Sequence, residues 1–317
     1  MTPATATRRQ VPLEALLRHA DRHDDPWADP ALSSDVDPAA RYTSDDLCPL
    51  AHLPIWNTLT DAHRLRYNQL VGLLHNELIV MFETGIAAHA LPVLMRDDSL
   101  PAELREALAR FLDDERAHTA AFRALSHATA PDWYDGHDFH VLQLPRPMTR
   151  LFESLARRPG RFPFLFWLML IMEERSLMIS RAVARQEGID PRWAAVYRAH
   201  LIDEVRHVQT DWHLIDRLWR GRSALTRRAN ALLLRGTIVG LFLKPRRANV
   251  RLIDLLVADF PELSPRRPEL LAAVRSLTDA AGYRRMMYSV QATPITRKLC
   301  HELPELRGLW GRMSGEA

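Results

Sequence analysis

Apolar residues recur along this chain at helical spacing, and no stretch shows the two-residue alternation of a half-buried strand. From Thr58 to Met95 they fill nearly every face between Leu70 and Leu94, which predicts a long helix in the middle of a bundle, with Thr60 as its N-cap. Asp97-Asp98-Ser99-Leu100-Pro101 then supplies a turn and a helix start. The second helix runs to about Leu125. Its inner stripe is Leu104, Leu108, Phe111, Glu115, His118, Phe122 and Leu125, spaced alternately four and three residues apart. Between His127 and Arg161 the period is lost among Pro131, Gly136, Pro145, Pro147, Pro159 and Gly160. That length predicts a crossover between two helical hairpins, with a short helix around Met148 to Arg157.

The third helix is predicted over roughly Phe164 to Gln186, with Arg175, Arg181 and Arg185 marking its outer face. Gly188-Ile189-Asp190-Pro191 makes the turn into a fourth, from Asp190 to about Arg220. The inner stripe of that helix is Trp193, Val196, His200, Glu204, His207, Asp211 and Leu214. Outside this core, residues 1–57 read as an arm. Val11 to His19 suits a short amphipathic helix, and the Asp/Pro/Ser-rich stretch after it, with Asp-Pro at 25–26, 29–30 and 37–38, favours turns. Residues 223–317 are again helical in pattern, with breaks at Pro245, Pro261, Pro265, Pro268, Gly282 and Pro294. The expectation is an all-α chain in which an N-terminal arm packs on a single domain, 58–317, with its core bundle over about 58–220.

Composition changes this picture little. A hydrophobic content of 47% and a charged content of 26% are ordinary for a globular protein. The net charge of +3 comes from scattered Arg, with short clusters such as Arg246-Arg247 and no basic stripe interleaved with aromatics, so no nucleic-acid partner is expected. Cys48 and Cys300 have no metal-type spacing. Met1 to Arg9 is polar and no apolar leader follows; together with the two lone cysteines this makes a cytoplasmic location the expectation. The apolar runs Phe162–Met172 and Leu232–Leu243 fall well short of the roughly 20 residues that span a bilayer, so no stable membrane insertion is expected.

The chemistry lies on the inner stripes. His200, Glu204 and His207 stand at i, i+4 and i+7, which stacks two imidazoles and a carboxylate on one helix face. Asp114-Glu115-x-x-His118 and Asp203-Glu204-x-x-His207 are the same motif on two helices. The chain holds only two Asp-Glu dipeptides and both have His three residues on; with 14 His in 317 residues, chance gives this on the order of 0.002 of the time. Four helices each offering an inward Glu, two of them as Glu-x-x-His, form the ligand pattern of ferritin-like bundles that hold two iron or manganese ions. Asp114 and Asp203 could each accept the free ring N–H of a ligand His on a neighbouring helix. On the third helix Glu173 points away from the arginine face, whereas Glu174 falls among the arginines and reads as a surface ion-pair partner. On the first helix both Glu77 and Glu83 are candidates; Glu77 points inward better, and the hairpin length brings both close to level with Glu115.

The third histidine narrows the comparison. His200-x-x-x-Glu204-x-x-His207, Asp114-Glu115-x-x-His118 and Glu83-x-x-Ile86 resemble the p-aminobenzoate N-oxygenase (arylamine N-oxygenase) family over roughly residues 60–220. The resemblance implies a non-heme di-iron monooxygenase that activates O2 and oxidises an amine in a biosynthetic pathway; the ligand types themselves leave Fe/Fe and Fe/Mn both open. It implies Glu83, Glu115, His118, Glu173, His200, Glu204 and His207 as ligands and favours Glu83 over Glu77. No Gly-x-Gly-x-x-Gly occurs, so electrons would come from a ferredoxin or reductase partner. Two further readings keep the metals: hydroxylation or desaturation at carbon of a lipid-like or carrier-bound substrate, and ferritin-like iron handling. A monomer or homodimer, in place of a large cage, would count against the last.

Overall fold

The computed structural model describes residues 9–21, 26–143, 145–242 and 246–314; Asp25 of the first Asp-Pro pair, Pro245 and the end of the Leu232–Leu243 run lie outside them. Among the described residues no strand occurs, and the only bridge of strand type joins Arg41 to Ile189. The elements in order are α1 (Leu13–Ala20), α2 (Asp61–Phe82, continued through Glu83–Ala87 and Ala88–Leu94), α3 (Ala102–Thr129), α4 (Arg146–Ala156), α5 (Phe164–Arg185) and α6 (Pro191–Leu214, continued to Trp219). After them come α7 (Ala224–Thr237), α8 (Arg246–Asp259), α9 (Arg267–Ser276), α10 (Ala281–Tyr288), α11 (Pro294–Glu302) and α12 (Leu309–Ser314).

Helices α2, α3, α5 and α6 form the bundle, with α5 against α6, α3 against α6 and α2 against α3. Each starts where its sequence says. The Thr60 side chain accepts from His63 N while the His63 ring accepts from Thr60 N, closing a capping box. Asp190 caps α6 by accepting from Trp193 N, with Pro191 in the first turn, where a missing N–H costs nothing. The turn between α5 and α6 needs Gly188, whose φ of +75° is strained for any residue with a Cβ. Trp167, Trp193, Phe111, Phe122 and Phe166 fill the centre.

Helix α2 is long and apolar enough, from Asp61 to Leu94, to cross a membrane, but it lies inside the bundle. It is not a regular α-helix throughout. At Glu83–Ala87 it widens into one turn of π-helix, in which Ala88 N donates to Glu83 O. Such turns insert an extra residue and re-aim the side chains around it, and they recur at functional sites.

The segment before α2 crosses the bundle closely. Asn68 on α2 accepts from Tyr42 N and Thr43 N and donates to Thr43 O, and Tyr42 stacks on Trp193 with ring centroids 4.6 Å apart. Gly72 makes this approach feasible: a Cβ there would sit 2.7 Å from that of Tyr42. Farther back, Trp27 brings its ring to 5.6 Å from His118.

The C-terminal helices cover the face of α5 that the sequence presents as an outer one. Arg175 is buried and donates to Met287 O. Glu174 is likewise buried and is not a surface ion-pair partner. Its two carboxylate oxygens accept from Ile295 N (2.5 Å) and Thr296 N (2.9 Å), holding the start of α11. Burial pushes its carboxyl up to about 7, against the pull of those bonds. A carboxylate at a helix N-terminus fits the exposed backbone N–H groups there.

Candidate metal centre

The inner stripes of α3 and α6 face each other across the bundle core, and the middle of each is polar. Glu115 and His118 come from α3, His200, Glu204 and His207 from α6, Glu173 from α5, and Glu83 from the π-turn of α2. All seven are almost fully buried. Their donor atoms gather in three overlapping groups: Glu83, His118 and His200; Glu115, His118 and His207; and Glu173, Glu204 and His207. Within each group the atoms lie inside 4.8 Å of one another.

Glu204 is central to the arrangement. Its Oε1 is 2.5 Å from His200 Nε2 and 3.9 Å from His118 Nδ1, while its Oε2 is 3.7 Å from His207 Nδ1. Glu83 Oε1 closes the first side, 3.8 Å from His118 Nδ1 and 3.9 Å from His200 Nε2. Glu115 Oε1 and Glu173 Oε2 close the second, 3.1 and 3.8 Å from His207 Nδ1.

Each imidazole is held from behind. His118 Nε2 lies 3.2 Å from Asp203 Oδ2, and His207 Nε2 lies 3.1 Å from Asp114 Oδ2. The exchange is reciprocal, because each Asp serves the His of the opposite helix. Arg206 joins both carboxylates, donating to Asp203 at 2.7 Å and to Asp114 at 2.9 Å. Burial pushes the Asp203 carboxyl up, but the bond and charge of His118, and then Arg206, outweigh it and bring it down to about 2. An ionised Asp203 can only accept, so the His118 ring proton sits on Nε2 and the Nδ1 lone pair turns to the cluster. On the third ring, His200 Nδ1 lies 3.0 Å from Ser180 Oγ, and Phe122 meets its plane edge-on. Phe111 stacks on His207 at 3.9 Å. Thr119 donates to Glu83 Oε2 at 2.6 Å. These contacts fix ring and carboxylate orientation, which metal sites require of their surroundings.

The electrostatics identify what such a site needs. Burial and the neighbouring carboxylates push Glu83 and Glu173 well above the ordinary carboxylate range, and burial pushes Glu115 up. Glu204 goes the other way: burial raises it, but His200 above all, with Glu173 and His207 close beside it, brings it well below. Burial likewise lowers His207, yet its bond to Asp114 and the nearby carboxylates of Glu115, Glu173 and Glu204 hold its proton far above the usual value. Four buried carboxylates thus compete for protons. Seven buried atoms still have no hydrogen-bond partner: both Glu115 oxygens, Glu173 Oε1, Glu204 Oε2, His118 Nδ1, His200 Nε2 and His207 Nδ1. Orphaned polar atoms are rare in protein interiors, and so many aimed at one small volume fit cations held between them. Two divalent ions would bring about four positive charges to balance four carboxylates.

Not every acid on these faces joins in. Glu77 is buried away from the cluster, where it accepts from Tyr134 Oη and the backbone N–H groups of His140, Val141 and Leu142. It ties down the crossover between the hairpins. Asp211, one turn beyond His207, reads from its stripe as a helix-pairing acid; instead it is fully buried, and neither oxygen has a hydrogen-bond partner among the described residues. Burial pushes its carboxyl well up. Thr119 and Trp27 escape sequence reasoning, since a single hydroxyl or indole at a stripe edge has no spacing signal, while Ser180 shares the inward face of Glu173.

No curated protein matches the chain. A family model does, and it spans the arm, the bundle and most of the helices that follow. Since residues 6–286 match the model of the p-aminobenzoate N-oxygenase AurF, the chain belongs to that family of oxygenases.

Proposed function

We propose that this chain is an O2-dependent di-iron monooxygenase that oxidises the nitrogen of an amine, of arylamine type, in a biosynthetic pathway. The observation that carries the reading is the set of seven orphaned donor atoms, in a member of an N-oxygenase family. Glu83, His118 and His200 would hold one iron, and Glu115, Glu173 and His207 the other. Glu204, with one oxygen turned to each side, would serve both. When bound, the two irons supply the reduction of O2 to an oxidant that delivers one oxygen atom to the substrate.

The rest of the work falls to the chain. Asp203 and Asp114 keep His118 and His207 in the tautomer that presents Nδ1 to metal, and Ser180, at Nδ1 of His200, leaves Nε2 of that ring to face it. Thr119 steers the Glu83 carboxylate. Phe111, Phe122 and Trp27 pack around the three rings and exclude water, which protects an oxidising centre from unproductive proton and electron leakage. With one oxygen atom of O2 going to the substrate and the other to water, turnover would need two electrons from outside the chain. We assign their delivery to a ferredoxin or flavin-reductase partner and read the chain as a cytoplasmic monomer or homodimer.

The test is metal analysis followed by single turnover. Purified protein should carry two irons per chain, and the ferrous form given O2 and an arylamine should yield the hydroxylamine. Protein without iron or manganese, showing no optical transient with O2, would overturn the assignment. Product from an acyl substrate but not from any amine would keep the metals and replace nitrogen by carbon as the site of oxidation.

A further inference from the structure

A cavity of about 520 Å³ lies between α2, α5 and the C-terminal helices, beside the metal centre and apart from it. Val71, Leu74, Leu78, Ile79, Met172 and Ile179 make much of its wall. Its volume is over three times the roughly 150 Å³ that houses a benzene ring, and it falls in the usual range for sites that enclose a whole ligand. A smaller chamber adjoins it, lined by Phe82, Gly85 and Ile86, which flank Glu83. Met81, Met148 and Met172 line both chambers and so form the partition. Methionine is the most pliable apolar side chain, and three of them make a partition that yields to a ligand of matching shape.

The charged groups that line this cavity among the described residues are of one sign. Among the described residues no Asp or Glu lines it, whereas Arg175 and Arg247 do. Arg247 is exposed, at the opening. Arg175 is only 8% exposed. Its guanidinium donates to Met287 O at 2.7 Å and lies 5.5 Å from the centre of the Tyr288 ring, but no ion pair among the described residues includes it. Burial, with Arg175 as a second cause, pushes His75 in the same wall down to about 3, so that ring is neutral. Ser176, beside Arg175, has a buried hydroxyl without a partner. A buried cation without a counter-charge is costly, and chains retain one where a ligand supplies the missing charge.

We infer that the cavity binds an extended apolar substrate carrying a carboxylate, seated on Arg175 with Ser176 as a second donor. A carboxylate matches the guanidinium fork, and one buried cation balances a monoanion; a phosphate dianion would be left under-compensated. The apolar body fills the cavity, and its far end, which in a substrate bears the amine, passes the methionine partition to reach the small chamber beside Glu83. At about 100° per residue, Arg175 lies about 160° and Ser176 about 60° around α5 from Glu173, so the carboxylate sits on the flank of that helix, turned away from the metal ligands. The identification of this occupant as a substrate rests on the oxygenase reading; the binding itself does not.

Calorimetric titration of the full chain without O2 or reductant tests it, using dodecanoate, dodecan-1-ol and dodecyl phosphate. Dodecanoate should bind one per chain and at least tenfold tighter than either analogue. Arg175→Met should weaken dodecanoate tenfold or more while leaving the alcohol unchanged or tighter. Ile179→Phe, which fills the cavity without touching a charge, should weaken both. Equal binding of acid and alcohol to the wild type, or no saturable binding of dodecanoate, overturns the inference even if the arginine variant does not fold. Tighter binding of dodecyl phosphate overturns the choice of carboxylate. Iron content of the same preparation is counted separately, so failure of the metal reading and failure of this one are told apart.

Discussion

Two glutamates of α2 are separated by six residues and play different parts, and substituting each tests the assignment. Glu77 accepts four hydrogen bonds: Oε1 takes Tyr134 Oη (2.7 Å), His140 N (2.8 Å) and Val141 N (2.9 Å), and Oε2 takes Leu142 N (2.5 Å). In Glu77→Gln the amide oxygen can keep the first three, but its NH2 then faces the N–H of Leu142. One charge-assisted bond is lost and one buried donor stranded, for a cost of about 2–4 kcal/mol. Glu77→Ala strands all four donors and should cost about 4–6 kcal/mol, comparable with the whole stability of many domains. Glu83 has one hydrogen-bonded oxygen, and the other points into the donor cluster. Replacing it by Gln puts a neutral amide where burial already disfavours the ionised carboxyl, so iron-free Glu83→Gln should be as stable as the wild type or more so. Urea melts of the iron-free proteins, with iron counted after reconstitution, read both effects. Glu77→Gln should melt early yet take two irons, while Glu83→Gln should melt normally and lose at least one. The reverse pattern would refute the assignment of roles on this helix.

The supports of the histidines give a second expectation. Asp203→Asn or Asp114→Asn should lower iron affinity about 10- to 100-fold, read by competition with a chelator. Removing iron from the wild type should itself lower Tm, since free metal at 100 times its Kd stabilises the native state by about 2.7 kcal/mol. Glu174 predicts a pH effect with a definite sign. Its folded-state carboxyl titrates at about 7 against an ordinary 4.5, so the native state holds a proton that the unfolded chain has released. Stability should therefore fall by about 3 kcal/mol as pH rises from 4.5 to 7 and this contribution should level off above that. The difference between wild type and Glu174→Gln in urea melts across that window isolates it; a flat difference would exclude it. Gly72→Ala should destabilise by about 1–3 kcal/mol, because its Cβ meets Tyr42 at 2.7 Å and the segment before α2 must shift.

How much of this was legible in the sequence follows from how far each contact reaches. Glu115, His118, His200, Glu204 and His207 sit on seams whose spacing is local and regular, and a straight helix carries that spacing into space unchanged. The bundle order was legible for the same reason, with the break at residues 127–161 marking the crossover. The choice between Glu77 and Glu83 was not, because rotating at about 100° per residue assumes a uniform helix, and α2 leaves that geometry at Glu83 itself. Glu77 is as inward as the pattern says. Its partners, though, belong to residues 134–142, in a segment with no period to read. Glu174 and Arg175 failed for a related reason. A charged face reads as solvent-facing until something covers it, and what covers this one lies more than 100 residues along the chain, at Met287, Ile295 and Thr296. That cover also creates the cavity. Placing α10 over Arg175 removes the cation from water without giving it an acid, so the unbalanced charge belongs to the packing of the C-terminal helices. The bundle pattern thus specifies the place of the candidate ligands, while the chemistry of what enters beside them depends on contacts that no period encodes.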